Sequence, residues 1–349
     1  MSVLLHEIRE AMVARDERRR GMKAIRVGEH GGPEVLVLEE VEDPRPAAGE
    51  VLVGLHAAGV NMIDVQQRSG GYSVSLPFTP GTEGAGEVVE VGDDVSGYSS
   101  GNRVAYAGVP GAYAELALVP AHRLVPVPPA LPTELAAAAL LQGMTAHYLV
   151  HSVEPHEEGA VVVVQAAAGG VGLLLTQMAT AKGMQVIGTT STEEKAALVR
   201  DAGAIDVVVR GRDDFAATVT AHTGGGGARV VFDSIGRDTF DDSLGSLARR
   251  GCLVLFGQSS GPVPPLDLSR LQKAGSVFVT RPGLADYVAT REELLERADA
   301  VMSMVANGDL DVRIHERFPL ARADDAHRLL QSGTTAGKLV LVTDREENR

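Results

Sequence analysis

The stretch that most constrains this chain spans residues 160 to 183. An apolar run "AVVVV" meets a turn "QAAAGGVG", and the turn opens a second apolar run, "GLLLTQMATAKG". The first run reads as a strand and the second as a helix, so the turn stands where one gives way to the other. Placing only the smallest residues there clears the backbone for close approach to something else. Ala167, Gly169 and Gly172 fit the A-x-G-x-x-G spacing of a dinucleotide-binding turn. The first small residue permits the tight turn, the second lets backbone approach a pyrophosphate, and the third lets the helix pack on the strand. A phosphate then faces the helix N-terminus, where unpaired N–H groups and the helix dipole favour an anion. Ala168, Gly169, Gly170 and Val171 are the candidate contacts.

The end of the following strand bears on which dinucleotide is bound. A site for NAD carries an Asp or Glu roughly 20 residues on, against the ribose 2′-hydroxyl. That place reads "GTTSTEEK": Thr189, Thr190, Ser191 and Thr192 supply hydroxyls, and Lys195 follows two glutamates. Hydroxyl donors with a cation suit a 2′-phosphate, so NADPH is the expected cofactor, with Thr190, Ser191 and Lys195 as contacts. Arg210, at the end of the third strand, adds a second cation. The same stretch also reads as a helix N-cap, Ser191 or Thr192, followed by solvated charges.

The texture on either side of the turn differs. From Met22 onward, short Val- and Leu-rich runs such as "KAIRV", "EVLVGLHAAGV" and "GAGEVVEVG" are bounded by Gly, Pro or Asp turns. A helical stretch, "TELAAAALLQGMTAHYLV", closes that region. From residue 160 continuously apolar strands alternate with helices, which predicts an α/β fold with a parallel sheet covered on both faces. One of those helices is expected to end near "LARRG", before the strand "CLVLFGQSS". An amphipathic helix, "TREELLERADAVMSMVANGDL", and a closing strand, "GKLVLVTD", complete the pattern. Before Met22 lies an extension in which Leu5, Ile8 and Met12 have helical spacing.

Composition narrows the function classes. A formal net charge of −14 argues against a nucleic-acid surface, which needs clustered Lys and Arg. No apolar run approaches the roughly 20 residues that span a bilayer, and no signal-peptide core is present, so a cytoplasmic location is expected. The single cysteine, Cys252, excludes an internal disulfide and a cysteine-based structural zinc site within one chain. The ten histidines are scattered without an H-E-x-x-H pair, and no metal is expected. The segment "GQSSG" (257–261) matches a nucleophile elbow, but that motif needs a helix next, and Pro262, Pro264 and Pro265 forbid one.

Several further stretches act as a set: "GVNMIDVQQRSGGY" (59–72), "PGTEGAGEVVEVG" (80–92), "AAAGGVG" (166–172), "VVFDSIGRDTF" (230–240), "RRGCLVLFGQSSG" (249–261), "VTRPGL" (279–284) and "GKLVL" (337–341). Together they resemble the zinc-free quinone oxidoreductase branch of the medium-chain dehydrogenase/reductase superfamily, from about Met22 to Val342. The resemblance implies a GroES-like, strand-rich catalytic domain (22–146) and a Rossmann domain with a doubly wound parallel sheet for NADPH (147–284). A return to the catalytic domain (285–349) follows, with the extension (1–21) outside. Where zinc-dependent members carry a cysteine and a His-Glu pair, this chain reads Asn61 to Asp64 and Gly81-Thr82-Glu83.

By the same resemblance Asn61, Asp64 and Tyr72 line the cleft near the nicotinamide, and Arg281 faces it. Arg281 or Tyr72 would then steady a quinone oxyanion. Thr145, Ser234, Phe256, Gly257, Gln258, Ser259 and Lys338 fall at cofactor-contacting positions. Plainer readings stay open: Asn61 and Asp64 as caps of a turn, Tyr72 as packing, Arg281 as a structural ion pair. The implied activity is hydride transfer from NADPH to a quinone. An enone, alkenal or enoyl-thioester acceptor, or nucleotide binding without turnover, are the alternatives. A homodimer is expected, joined edge to edge through "CLVLFG" and "SVFVT".

Overall fold

The computed structural model describes residues 21–153 and 158–345; the extension read as helical lies outside the described residues. Strands β1 (Gly21–Arg26) and β2 (Val37–Glu42) pair as an antiparallel ladder. The strand-rich region continues with β3 (Glu50–Val60), the helix α1 (Met62–Arg68), and β4 (Glu83–Val91), β5 (Arg103–Ala107), β6 (Leu116–Pro120) and β7 (Val125–Pro126). The long helix α2 (Thr133–His151) then crosses to the second sheet. Its alanines let it be buried nearly all round. At Gly143 a Cβ would stand 2.5 Å from Val301 Cγ1, so the neighbouring helix approaches to the backbone. The domain boundary expected between residues 146 and 147 falls inside this helix.

The alternating region follows as β8 (Val161–Val164), α3 (Gly170–Ala181), β9 (Gln185–Thr190), α4 (Glu193–Asp201), β10 (Asp206–Val209) and α5 (Phe215–Thr223). It goes on through β11 (Ala228–Asp233), α6 (Phe240–Gly245), β12 (Leu247–Leu255), α7 (Ser269–Lys273) and β13 (Phe278–Thr280). These strands form a six-stranded sheet in the order β10-β9-β8-β11-β12-β13, every pair parallel. The chain leaves β8 toward one edge and returns at β11 toward the other. The strand order thus reverses between them, opening a crevice at their carboxyl ends. Val162, Val163 and Val164 are fully buried, as strands covered on both faces require.

One element differs from the sequence expectation. The helix expected to end near "LARRG" stops at Gly245, and residues 247–250 belong to β12. Leu247 pairs with Ala228, the register then shifts, and Arg250 adopts φ 57°. Exposed Arg249 and Arg250 mask the strand pattern, because they sit at an irregular turn of the ladder where no core demands alternation.

After α8 (Leu284–Tyr287) and α9 (Arg291–Asn307), the strand β14 (Ile314–Pro319), helix α10 (Ala323–Gln331) and strand β15 (Lys338–Val342) return to the first sheet. There the order is β14-β15-β3-β4-β5-β7, with β6 also on β3. At the start of β15, Gly337 N donates to Ala168 O at 2.9 Å, and Gly337 forms a parallel bridge with Gly169. The glycine turn of one sheet is therefore tied to the other.

Candidate active site

At the glycine turn, Ala166 holds φ 52° and Gly169 is the N-cap of α3 with no side chain over the helix end. The first N–H groups of α3 have no acceptor within the helix. A Cβ on Gly172 would lie 2.5 Å from Ala166 O and 2.7 Å from Ala167 Cα, so the helix sits on the strand at backbone contact. Beside the turn, Thr190 Oγ1 donates to Thr192 O at 3.1 Å, Ser191 is exposed, and Thr192 caps α4 by accepting from Lys195 N at 3.3 Å. Of the two cap candidates, Thr192 takes the place.

Lys195 Nζ donates to Gly333 O at 2.6 Å, and burial lowers its pKa. Arg210 is exposed, its guanidinium reaching Asp238 O at 3.5 Å. One correction concerns Thr189: it is buried and directed inward, donating to Gln165 Oε1 at 2.7 Å, and so is not among the free hydroxyls. A cavity of about 670 Å³ lies beside Arg210, between α5, the 225–227 loop and α6, and does not include the glycine turn.

Across the crevice, residues 234 and 256–259 follow β11 and β12. Phe256 N donates to Asp233 O at 2.9 Å and Ser259 N to Ser234 O at 3.1 Å. A Cβ on Gly257 would fall 2.6 Å from Ser234 O, so the two loops touch through backbone. Arg281, just beyond β13, donates to the carbonyls of Leu255 and Gly257, each at 3.2 Å, and to Gln258 Oε1 at 3.0 Å. It fastens this loop rather than pairing with an acid. The carboxyl ends of the parallel strands thus bring together Ala168 to Val171, Thr190, Ser191, Lys195, Arg210, Ser234, Phe256 to Ser259 and Arg281.

The first sheet contributes a buried polar group. Asn61 is the N-cap of α1 in a capping box, with its N–H donating to Asp64 Oδ2 at 2.8 Å. Asp64 also accepts from Tyr113 Oη at 3.1 Å and Thr82 Oγ1 at 3.3 Å. Burial pushes its carboxyl up to about 7, against the opposing pull of the Asn61 N–H, Lys338 and the Tyr113 hydroxyl. Tyr113 has one hydroxyl hydrogen, which goes to Asp64. His327 Nε2–H therefore donates to the Tyr113 oxygen at 3.0 Å, and burial lowers His327 to about 3.

Lys338 is placed otherwise than expected. It is 1% exposed, its ammonium bonded to Glu83 Oε1 and, at 2.8 Å, to Asn61 Oδ1, so it is a buried ion pair and not a cation facing a cofactor. Asn61 Nδ2 in turn donates to Glu83 Oε1 at 2.8 Å, and Leu141 N donates to Glu83 Oε2 at 3.0 Å. Thr145 is buried and returns its hydroxyl to Leu141 O at 2.8 Å. Tyr72 stands apart, 42% exposed.

The donor chemistry of this group does not suit zinc. Glu83 is neutralised by Lys338, Asp64 is taken up by Tyr113 and Thr82, His327 turns to Tyr113, and the group holds no cysteine. Among the described residues no three His, Cys, Asp or Glu side chains are grouped to hold a metal ion. The crevice, by contrast, fits a dinucleotide phosphate: bare helix N–H groups open α3, and beyond the next two strands stand the Ser191 hydroxyl, Lys195 and Arg210.

Sequence profiles of two known families match separate parts of the chain. "Alcohol dehydrogenase GroES-like domain" matches residues 47–129 and "Zinc-binding dehydrogenase" matches residues 170–300. The chain is 42% identical to the quinone oxidoreductase of Pseudomonas aeruginosa over 92% of its own length and 99% of that protein's. The chain belongs to the quinone oxidoreductase family. Another member, the quinone oxidoreductase of Escherichia coli crystallised with NADPH, superposes with a TM-score of 0.90 at 41% identity, over 92% of this chain and 99% of that one. The 2-haloacrylate reductase of a Burkholderia species is 38% identical over 89% of this chain and 96% of its own length. The family thus has the mixed architecture described above, a GroES-like unit with a medium-chain dehydrogenase/reductase nucleotide sheet.

Within this family member, sequence reasoning missed the pairing of Lys338 with Glu83 and the Asp64–Tyr113–His327 line. Neither leaves a local signal, since the partners stand 255, 49 and 214 residues apart. The acid in "GTE" was visible as a place; its partner was not.

Proposed function

We propose that this chain reduces quinones with NADPH, without a metal. The observation that carries the reading is the strand tip after β9. There Ser191 presents an exposed hydroxyl, Lys195 and Arg210 supply cations, and no carboxylate occupies the place that would hold an unphosphorylated ribose. When bound, the dinucleotide supplies a hydride from nicotinamide C4.

The protein's own part is position and charge. The N–H groups opening α3 receive the pyrophosphate, and Gly169, with no side chain over the helix end, lets it approach. Arg281 holds the 256–258 loop in place beside the nicotinamide end. Asn61 is fixed in orientation by Lys338 and Glu83, which leaves the cleft wall rigid. Tyr72, with an exposed side chain, is the donor toward acceptor oxygen, and water completes quinol protonation.

The test mixes the purified protein with NADPH, and separately NADH, and offers 1,4-benzoquinone, 9,10-phenanthrenequinone or a simple alkenal. Fast quinone-dependent oxidation of NADPH, with NADH at least about tenfold slower, is expected. Preference for NADH would overturn the 2′-phosphate reading. A second reading, reduction of an activated alkene, rests on the likeness to 2-haloacrylate reductase, and oxidation with the alkenal alone would favour it.

Two further assignments belong to this reading. The edge strand β13, carrying Phe278 at 59% exposure, pairs with its copy in a homodimer. The working compartment is the cytoplasm, in keeping with a single, buried cysteine and the lack of any helix, among the described residues, long and apolar enough to cross a membrane.

A further inference from the structure

Asp233, at the end of β11, is fully buried with no cation against it among the described residues. A buried carboxylate without a counter-charge must be held by hydrogen bonds. It accepts the N–H groups of Ile235 at 2.8 Å and Gly236 at 3.0 Å. The Thr239 hydroxyl reaches its two oxygens at 3.0 and 2.8 Å, and Ser243 Oγ donates at 2.8 Å. Ser243 Oγ accepts from Gln165 Nε2 at 3.1 Å, and Gln165 Oε1 accepts from Thr189 Oγ1 at 2.7 Å. Thr189 Oγ1 accepts from Ala166 N at 3.2 Å. Every donor in this line points toward Asp233. The line runs from β9 under the end of β8 to β11, across the point where the strand order reverses.

At its far end sits Ala166, whose φ of 52° costs a non-glycine residue about 1 kcal/mol. Such a conformation persists only where its surroundings hold it. Gln165, Thr189 and Ser243 are each 2% exposed or less, so solvent competes little for these bonds even though Gln165 and Thr189 border the cavity beside α5. Low local polarity and a fixed negative charge strengthen each member of the line.

We propose that Asp233 is a positioning residue for dinucleotide binding: through Ser243, Gln165 and Thr189 it fixes the Ala166 turn, and directly it fixes the Ile235–Gly236 loop. One buried charge thereby sets both banks of the crevice. This rests on the crevice being the NADPH site.

The test replaces Thr189 with Val, which keeps the shape and removes the hydroxyl, and with Ser, which keeps the hydroxyl. NADPH binding is titrated by calorimetry and kcat is measured at saturating NADPH and quinone. T189V is expected to raise Kd about tenfold, the effect of one unpaired buried group, with kcat within about twofold. T189S is expected to recover most of the loss. S243A, one link closer to Asp233, should raise Kd similarly, and the double variant should cost no more than the larger single one. S243A also keeps the question decidable if T189V fails to fold. Wild-type binding left unchanged by T189V and by S243A would overturn the positioning line alone. Failure of the wild type to bind NADPH or NADH would overturn the cofactor reading, and this inference with it.

Discussion

Asp64 and His327 meet the same tyrosine from opposite sides, and burial moves them in opposite senses. The Asp64 carboxyl rises from 3.8 to about 7, so between those values the folded state holds a proton that the unfolded state has released. Its contribution to stability is greatest below pH 4 and is lost as pH rises toward 7. His327 falls from 6.5 to about 3, so the unfolded state takes a proton that the folded state refuses. Its contribution is complete above pH 6.5 and is lost as pH falls toward 3. Over pH 4 to 6.5 the two slopes oppose. Urea unfolding across that range is expected to give D64N a more positive slope of stability with pH than the wild type, and H327Q a more negative one. The shift approaches the one-proton limit of about 1.4 kcal/mol per pH unit. Matching slopes in the two variants would contradict the assignment. None of this was legible in the sequence, where the resemblance puts Asp64 on the cleft wall, with a turn cap as the plainer reading, and His327 is one scattered histidine; the fully buried meeting at Tyr113 is made by the fold alone.

Among elements, the strand–turn–helix of β8 and α3 was readable because a backbone contact leaves a signature in residue size. Gly172 tests it directly. The 2.5 and 2.7 Å approaches are to backbone atoms, which cannot swing aside as a side chain would. G172A is expected to destabilise the chain by about 1–3 kcal/mol, read from the thermal midpoint, and to weaken NADPH binding by about tenfold. An unchanged midpoint would mean that α3 does not sit as closely on β8 as described. The alternation of apolar strands with helices was equally readable, since the central parallel strands β8, β9 and β11 are buried almost throughout. The "LARRG" stretch was not, because Arg249 and Arg250 are exposed at a register shift and carry no period. The tip of β9 was half readable. Its hydroxyls and Lys195 could be named, but Thr189 turns inward to Gln165 and only coordinates reveal which way a threonine faces.

At the scale of the whole molecule, two open edges bound the parallel sheet, and β13 is the one that carries exposed Phe278. Light scattering is expected to give the mass of a dimer, and F278K the mass of a monomer with its helical content retained. A monomeric wild type would remove the edge argument. A last consequence follows from β15 lying against β3 while Lys338 completes Glu83 and Asn61. Asn61 is 277 residues upstream of Lys338. At ribosomal speeds of about 5–20 residues per second, roughly fifteen seconds to a minute separates the two in a nascent chain. Through that interval β3 has no β15 beside it and Glu83 has no counter-ion, whereas the parallel sheet draws all its strands from one continuous stretch. The nucleotide-binding half is therefore born able to close on itself, and the half made first has to wait for it.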